Sequence, residues 1–235
     1  MVKNSSRQRI FENWAFIMGS NIYLLGYSGR ALSLIFNTLK DLRYGKKLVI
    51  LENIKQDDDV PFECDLPYER IWHENYRAKG DDALFFSVLK PMNKSKVFDF
   101  FANRHQISRA QFINIVHPST QIANKYDFDK GIYIEPGCII SPYAQIGFGV
   151  SINRGSSIGH HTVIEEFATI NPGVHIAGLC KIGAGVNVGM GSVIFEYISV
   201  GAGSIIGGGS VVNKDIPAGV VAYGNPCKVI RLVGP

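Results

Sequence analysis

Ile152-Asn-Arg-Gly-Ser-Ser-Ile158-Gly-His-His-Thr-Val-Ile164-Glu-Glu-Phe-Ala-Thr-Ile170 places a bulky apolar residue at every sixth position. The period continues outward in both directions. Upstream it passes through Ile146, Ile140, Ile134, Phe128 and Ile122 to Val116. Downstream it runs through Ile176, Ile182, Val188, Ile194, Val200 and Ile206 to Val212. A helix needs apolar spacings of three and four, and one half-buried strand needs a spacing of two. A strict six fits a short strand, a corner and another short strand, repeated: a parallel β-helix. Small or modest side chains sit two places before the bulky residue, as at Ala144, Ser156, Thr162, Cys180 and Ser192. Glycine often follows it, as at Gly147, Gly159, Gly183, Gly189, Gly201 and Gly207. The reading expects these following glycines to supply backbone freedom at the corners. A single coil buries little, and the stack buries a continuous core.

Upstream the period changes. Asn21-Ile-Tyr-Leu-Leu reads as a buried strand, Gly26-Tyr-Ser-Gly29 as a turn, and Ala31 to Arg43 as a helix with Leu32, Ile35, Phe36 and Leu39 on one face. Lys47-Leu-Val-Ile-Leu51 closes a βαβ unit. A loop follows at Asp57-Asp-Asp-Val-Pro. Then come a third strand at 83–88, a helix from Ser95 to His105 and a last strand from Phe112 to Val116. The domains read as an extension over 1–20 with a short helix at 9–18, an α/β Rossmann-like unit over 21–116, the β-helix over 117–218 and a tail over 219–235.

Bulk properties narrow the function classes. The chain has 46% hydrophobic and 19% charged residues and a net charge of +4. That is a globular balance, and the absence of long Lys/Arg runs argues against nucleic acid as a partner. No apolar stretch is long enough for a membrane span. The basic N-terminus and short run Trp14-Ala-Phe-Ile-Met do not read as a cleaved signal. Cys64, Cys138, Cys180 and Cys227 form no CxxC pair and read as reduced, small hydrophobes of a cytoplasmic protein. No metal is expected.

Two features carry chemistry. The Gly26-x-x-Gly29 turn at the end of a first βαβ strand suits a phosphate at a helix N-terminus, or is a plain tight turn. His160 lies two places after Ile158, so the repeat turns it outward, where an imidazole serves as a base or as plain surface.

The chain resembles the hexapeptide-repeat acyltransferases of the sialic-acid-cluster and bacillosamine sugar N-acetyltransferase type. The resemblance rests on Gly26-Tyr-Ser-Gly29, Ile115-Val-His-Pro-Ser, the stretch from Ile152 to Phe167, Asn171-Pro-Gly-Val-His-Ile-Ala-Gly178 and Gly224-Asn-Pro-Cys-Lys228. It implies a left-handed β-helix of about 18 residues per coil and roughly five coils. It further implies an acetyl-CoA-dependent N-acetyltransferase acting on the amino group of a nucleotide-linked deoxyamino sugar, in surface polysaccharide biosynthesis, as a homotrimer. His160 matches the general base, the Gly178 backbone N–H the oxyanion donor, and Asn153 a third active-site residue. Gly26, Ser28, Gly29, Glu52, Asn53 and His161 fall at sugar-nucleotide positions. Gly178, Gly208, Lys214, Lys228 and Arg231 fall along the acetyl-CoA path.

The chain departs from that pattern at four places. His161 stands where an acid usually orients the base, so either Glu165 or Glu166 substitutes for it or the base is weaker. Thr169 stands at a second His position, with His175 nearby. Glu52-Asn53 replaces an acidic pair, and Ser87-Val88 replaces Gly-Asn. The alternatives are a sugar O-acetyltransferase using the same base, a zinc hydrolase needing converging histidines, and a non-catalytic sugar-nucleotide-binding scaffold. The zinc reading is disfavoured by the expectation that His160 and His161 point apart.

Overall fold

The computed structural model describes residues 20–55 and 64–234. The expected helix at 9–18 and the loop at 57–61 lie outside the described residues. The chain divides into two compact units, Met1–Ile115 and Val116–Pro235.

The first unit is a parallel sheet of β1 (Ile22–Leu25), β2 (Leu48–Glu52), β3 (Tyr68–Trp72) and β4 (Ala83–Phe86), in the order β3-β2-β1-β4. Helix α1 (Gly29–Asp41) joins β1 to β2 and buries Leu32, Ile35, Phe36 and Leu39, the face the spacing predicts. Three expectations need correction. Strand β3 was not expected. It is an edge strand with an exposed, charged pattern, tied to β2 by the Arg70–Glu52 pair and to Lys47 through Glu69 (2.6 Å). Apolar periodicity does not mark such a strand. Helix α2 (Pro91–His105) starts one turn before Ser95, because Pro91 supplies a preset first-turn φ and needs no amide donor there. The last strand is only Ile115–Val116, while Phe112 makes an isolated bridge with Leu84.

The second unit is a prism with three faces of stacked parallel strands. Face one includes Tyr133–Ile134, Ser151–Ile152, Thr169–Ile170, Asn187–Val188, Ile205–Ile206 and Val220–Tyr223. Face two carries Gln121–Ile122, Ile139–Ile140, Ser157–Ile158, His175–Ile176, Val193–Ile194 and Val211–Val212. Face three carries Tyr126–Phe128, Ala144–Ile146, Val163–Ile164, Lys181–Ile182 and Ser199–Val200. Neighbouring strands are in register: Ser157 pairs with His175 and Ile158 with Ile176. The bulky residues of the period fill the prism and are buried, except for the partly buried Ile122 and Phe128 in the first coil. The small residues two places earlier turn inward as well, and Ser156, Thr162, Ser192 and Ser204 cap carbonyls of the next coil (for example Thr162 Oγ1 to Ala177 O, 2.9 Å).

The glycine expectation is also corrected. Glycines after the bulky residue do not take left-handed φ; they are packed against the next coil. A Cβ on Gly159 would lie within 2.5 Å of the Ala177 carbonyl oxygen and the Gly178 nitrogen. Left-handed φ belongs to the third residue before each bulky one. At the corner between faces one and two this residue is Gly137, Gly155, Gly173, Gly191 and Gly209. At the corner between faces two and three it is Tyr143, His161, Leu179 and Tyr197, with φ of 57 to 65°.

Candidate functional site

The register decides which residues can meet. The corner between faces two and three stacks Pro142, His160, Gly178, Glu196 and Lys214 in successive coils, linked by His161 N to Pro142 O, Leu179 N to His160 O and Tyr197 N to Gly178 O. His160 and Gly178 are in contact. A Cβ on Gly178 would sit 2.7 Å from both Cε1 and Nε2 of the imidazole, so the ring lies flush on space that only a glycine leaves open. Among the described residues the Gly178 N–H has no acceptor, while its carbonyl accepts from Tyr197 N (3.2 Å). An exposed imidazole therefore lies against a buried glycine with an unspent backbone donor. A shallow groove of about 590 Å³ runs from it along face two, past Ser157, His175, Ala177, Phe195 and Glu196.

The partner of His160 is His161. Their Nδ1 atoms are 3.1 Å apart and the rings meet edge to face. The expectation that the two point apart fails because the left-handed φ of His161 folds its side chain back at the corner. The other face of the His161 contact is Tyr143, stacked at 4.6 Å and 24°, with the Lys125 ammonium 3.2 Å from the Tyr143 hydroxyl. Glu165, offered as a substitute for the orienting acid, accepts from Ala184 N (3.0 Å) and pairs with Lys181 (3.2 Å), with Glu166 beside it in sequence. Both line a separate groove of about 660 Å³ on face three, with Asp127 and Asp129. His175 bonds Ser157 Oγ through Nδ1 (2.8 Å). Among the described residues, no group of three or more His, Cys, Asp or Glu side chains is placed to hold a metal.

Other expected site residues lie elsewhere on the prism. Asn153 and Gly208 stand at the corner between faces one and two, separated from His160 by the width of face two. Asn153 is buried, and among the described residues its Oδ1 has no hydrogen-bond partner. One coil earlier at that corner is Glu135, a residue the sequence reading missed. It is 2% exposed; Oε2 accepts from the Arg154 amide (2.9 Å) and guanidinium (3.2 Å), and Oε1 has no partner. A Cβ on Gly208 would press on the Met190 carbonyl at 3.2 Å. Lys214 is exposed at the His160 corner. Lys228 and Arg231 are exposed on the last strand, Lys228–Leu232, which pairs with Val220–Tyr223 on face one.

In the first unit, Gly26 takes φ +84° and Ser28 caps α1, its Oγ accepting from Ala31 N at 3.4 Å. Gly29 is the buried first residue of α1. Ser87 braces the turn from below, donating to Gly26 O (2.6 Å). Glu52 pairs with Arg70, whose guanidinium also lies 4.3 Å over the Tyr27 ring; Asn53 follows Glu52, half-buried. Lys94 in the first turn of α2 was not anticipated. It is 2% exposed, and burial pulls its ammonium down to about 7. His73 and His105 form a second imidazole pair (3.2 Å) among aromatic rings, and burial lowers both.

No protein-family model and no curated protein sequence matches the chain. Solved structures do. The acetyltransferase domain of PglB from Neisseria gonorrhoeae FA1090, in complex with acetyl coenzyme A, aligns with a TM-score of 0.74 at 19% identity, over 89% of this chain and 98% of that one. PerB from Caulobacter crescentus, in complex with CoA and GDP-perosamine, aligns at 0.71 and 20% identity, over 90% and 97%. WeeI from Acinetobacter baumannii AYE aligns at 0.63 and 19%, over 90% and 100%. The chain shares their fold. It is a Rossmann-like α/β unit followed by a left-handed parallel β-helix. Among the described residues, no helix is long and apolar enough to cross a membrane.

Proposed function

We propose that the protein is an acetyl-CoA-dependent N-acetyltransferase acting on the amino group of a nucleotide-linked deoxyamino sugar. The observation that carries this reading is the His160–Gly178 contact: an exposed imidazole laid on a glycine whose amide has no acceptor. In the reaction, the neutral sugar amine attacks the thioester carbonyl and forms the C–N bond. The amine proton passes to His160 Nε2. Charge developing on the carbonyl oxygen is met by the Gly178 N–H, a donor already fixed by the coil. The C–S bond then breaks, and the thiolate takes the proton held by His160. The products are the N-acetyl sugar and free CoA thiol.

The groove beside His175 and Phe195 is the path assigned to the pantetheine arm; one coil beyond its Glu196, at the same corner, stands Lys214, a cation suited to a phosphate. The turn from Gly26 to Gly29 at the N-terminus of α1 is assigned to the sugar nucleotide. The bound acetyl coenzyme A of PglB and the GDP-perosamine of PerB support these ligand classes. Asn153, Gly208, Lys228 and Arg231 join the site only if a second copy sets its corner between faces one and two against this His160 corner. A homotrimer with three such junctions would do this. A cytoplasmic enzyme fits both soluble substrates.

The test is thiol release from acetyl-CoA against UDP-, dTDP- and GDP-linked amino sugars, with His160→Ala alongside. Turnover with one donor that is lost in the variant supports the reading. Acetyl-CoA binding without turnover on any amine sinks it.

A further inference from the structure

At the corner between faces two and three the prism keeps side chains in left-handed φ at Tyr143, His161, Leu179 and Tyr197, three of them aromatic rings; elsewhere in the prism only Phe167 does so among the described residues. At the neighbouring corner the same position is glycine in coil after coil. A non-glycine residue in this conformation costs roughly 1–2 kcal/mol. Strain held against an available glycine points to a use for the side chain. For His161 the contacts show that use. Its ring is clamped between Tyr143, stacked at 4.6 Å, and the Nδ1 atom of His160 at 3.1 Å.

We propose that His161 is the positioning residue for His160, acting as a neutral Nδ1 acceptor in place of a carboxylate. This rests on the reading of His160 as the base. Two neutral imidazoles joined Nδ1 to Nδ1 hold one proton between them, so one ring donates and the other accepts. His160 Nε2 lies on the Gly178 side. When His160 donates from Nδ1, its Nε2 carries a lone pair at the reacting corner. When His161 donates instead, Nε2 of His160 carries a hydrogen and cannot accept a proton. The stack on Tyr143, itself bonded to Lys125, fixes the His161 ring plane and aims its Nδ1 at His160. After proton uptake the His160 imidazolium keeps its Nδ1–H on the same acceptor, and returns the Nε2 proton to the leaving thiolate.

The test uses three variants of the full chain. His161→Phe keeps a ring for Tyr143 without an acceptor. His161→Gly removes the ring and relieves the strained backbone, so it folds at least as well as the wild type. His161→Asn restores an acceptor in a residue that tolerates left-handed φ. Loss of one hydrogen bond at an exposed corner predicts a kcat about three- to tenfold lower in the Phe and Gly variants. KM for both substrates stays within about twofold, the Gly variant melts no lower than wild type, and the Asn variant recovers most of the rate. Long-range nitrogen-15 spectra read the tautomer without turnover: His160 carries its proton on Nδ1 in the wild type and loses that preference in His161→Phe. Wild-type kcat in His161→Gly, or an unchanged His160 tautomer in His161→Phe, overturns the proposal. A tautomer shift in a protein that acetylates no amine would leave the positioning role standing and refute the function instead.

Discussion

Replacing Gly178 by alanine separates what the His160 corner does for chemistry from what it does for folding. The three atoms nearest the new Cβ all belong to the imidazole, at 2.7 Å for Cε1 and Nε2 and 3.1 Å for Cδ2. Carbon atoms rest at about 3.5–4 Å, so the ring must move by about 1 Å. His160 is exposed and can swing, at a rotamer cost of about 0.5–1.5 kcal/mol. For a chain of this size that lowers Tm by only about 2–4 °C per kcal/mol. A reacting group displaced by about 1 Å, however, loses on the order of 100-fold in rate. Gly159→Ala is the contrast. Its Cβ would meet the Ala177 carbonyl and the Gly178 amide, backbone atoms that cannot swing, within 2.5 Å. Overpacking of that kind costs about 1–3 kcal/mol or more. Steady-state thiol release and thermal unfolding, measured on both variants, give the comparison. Gly178→Ala is expected to lose kcat with Tm nearly unchanged, and Gly159→Ala to lose stability first. A Gly178→Ala protein with kcat within threefold of wild type would refute the assignment of His160 to the reaction.

Glu165→Gln should leave kcat within about threefold, because its carboxylate is spent on Ala184 and Lys181; a tenfold loss would show that it orients the base at a distance. Lys94→Met should raise the unfolding free energy at pH 7 by an amount on the order of a few kcal/mol, and Tm with it, since burial pulls the ammonium down from 10.5 to about 7. The sign follows from linkage. The unfolded chain binds the extra proton between the two values, so wild-type stability rises from pH 7 towards 10.5 and its deficit is complete below 7. Melts at pH 7 and pH 9 should show that slope in the wild type and a flatter one in Lys94→Met; equal slopes would contradict it. Ile170→Ala removes a fully buried side chain from the prism and should cost about 2–5 kcal/mol by denaturant titration, with a loss under 1 kcal/mol counting against a close-packed core.

Much of the architecture is legible in the primary sequence, because an every-sixth apolar residue has one packing solution and α1 shows an unbroken helical stripe. His160 and Gly178 are legible as partners for the same reason: stacked coils bring equivalent positions of consecutive coils together. Strand β3 is not legible, since an edge strand held by the Lys47–Glu69 and Glu52–Arg70 pairs carries no apolar alternation. The buried Lys94 is not legible either, because a lysine just before the helix expected from Ser95 reads as solvated until the fold covers it. Local sequence also assigned the corners wrongly. Glycines after the bulky residues serve close coil-to-coil approach, and the left-handed turn belongs to a position where Tyr143, His161 and Leu179 sit unannounced by any glycine. That backbone conformation is what turns His161 onto His160 rather than away from it. Spacing along the chain thus determined the prism and the residues of each corner. Only the folded stack decided that Lys94 and Glu135 are buried and that the His161 ring meets His160, because burial and side-chain contact depend on what packs around a residue, and distance in sequence does not encode it.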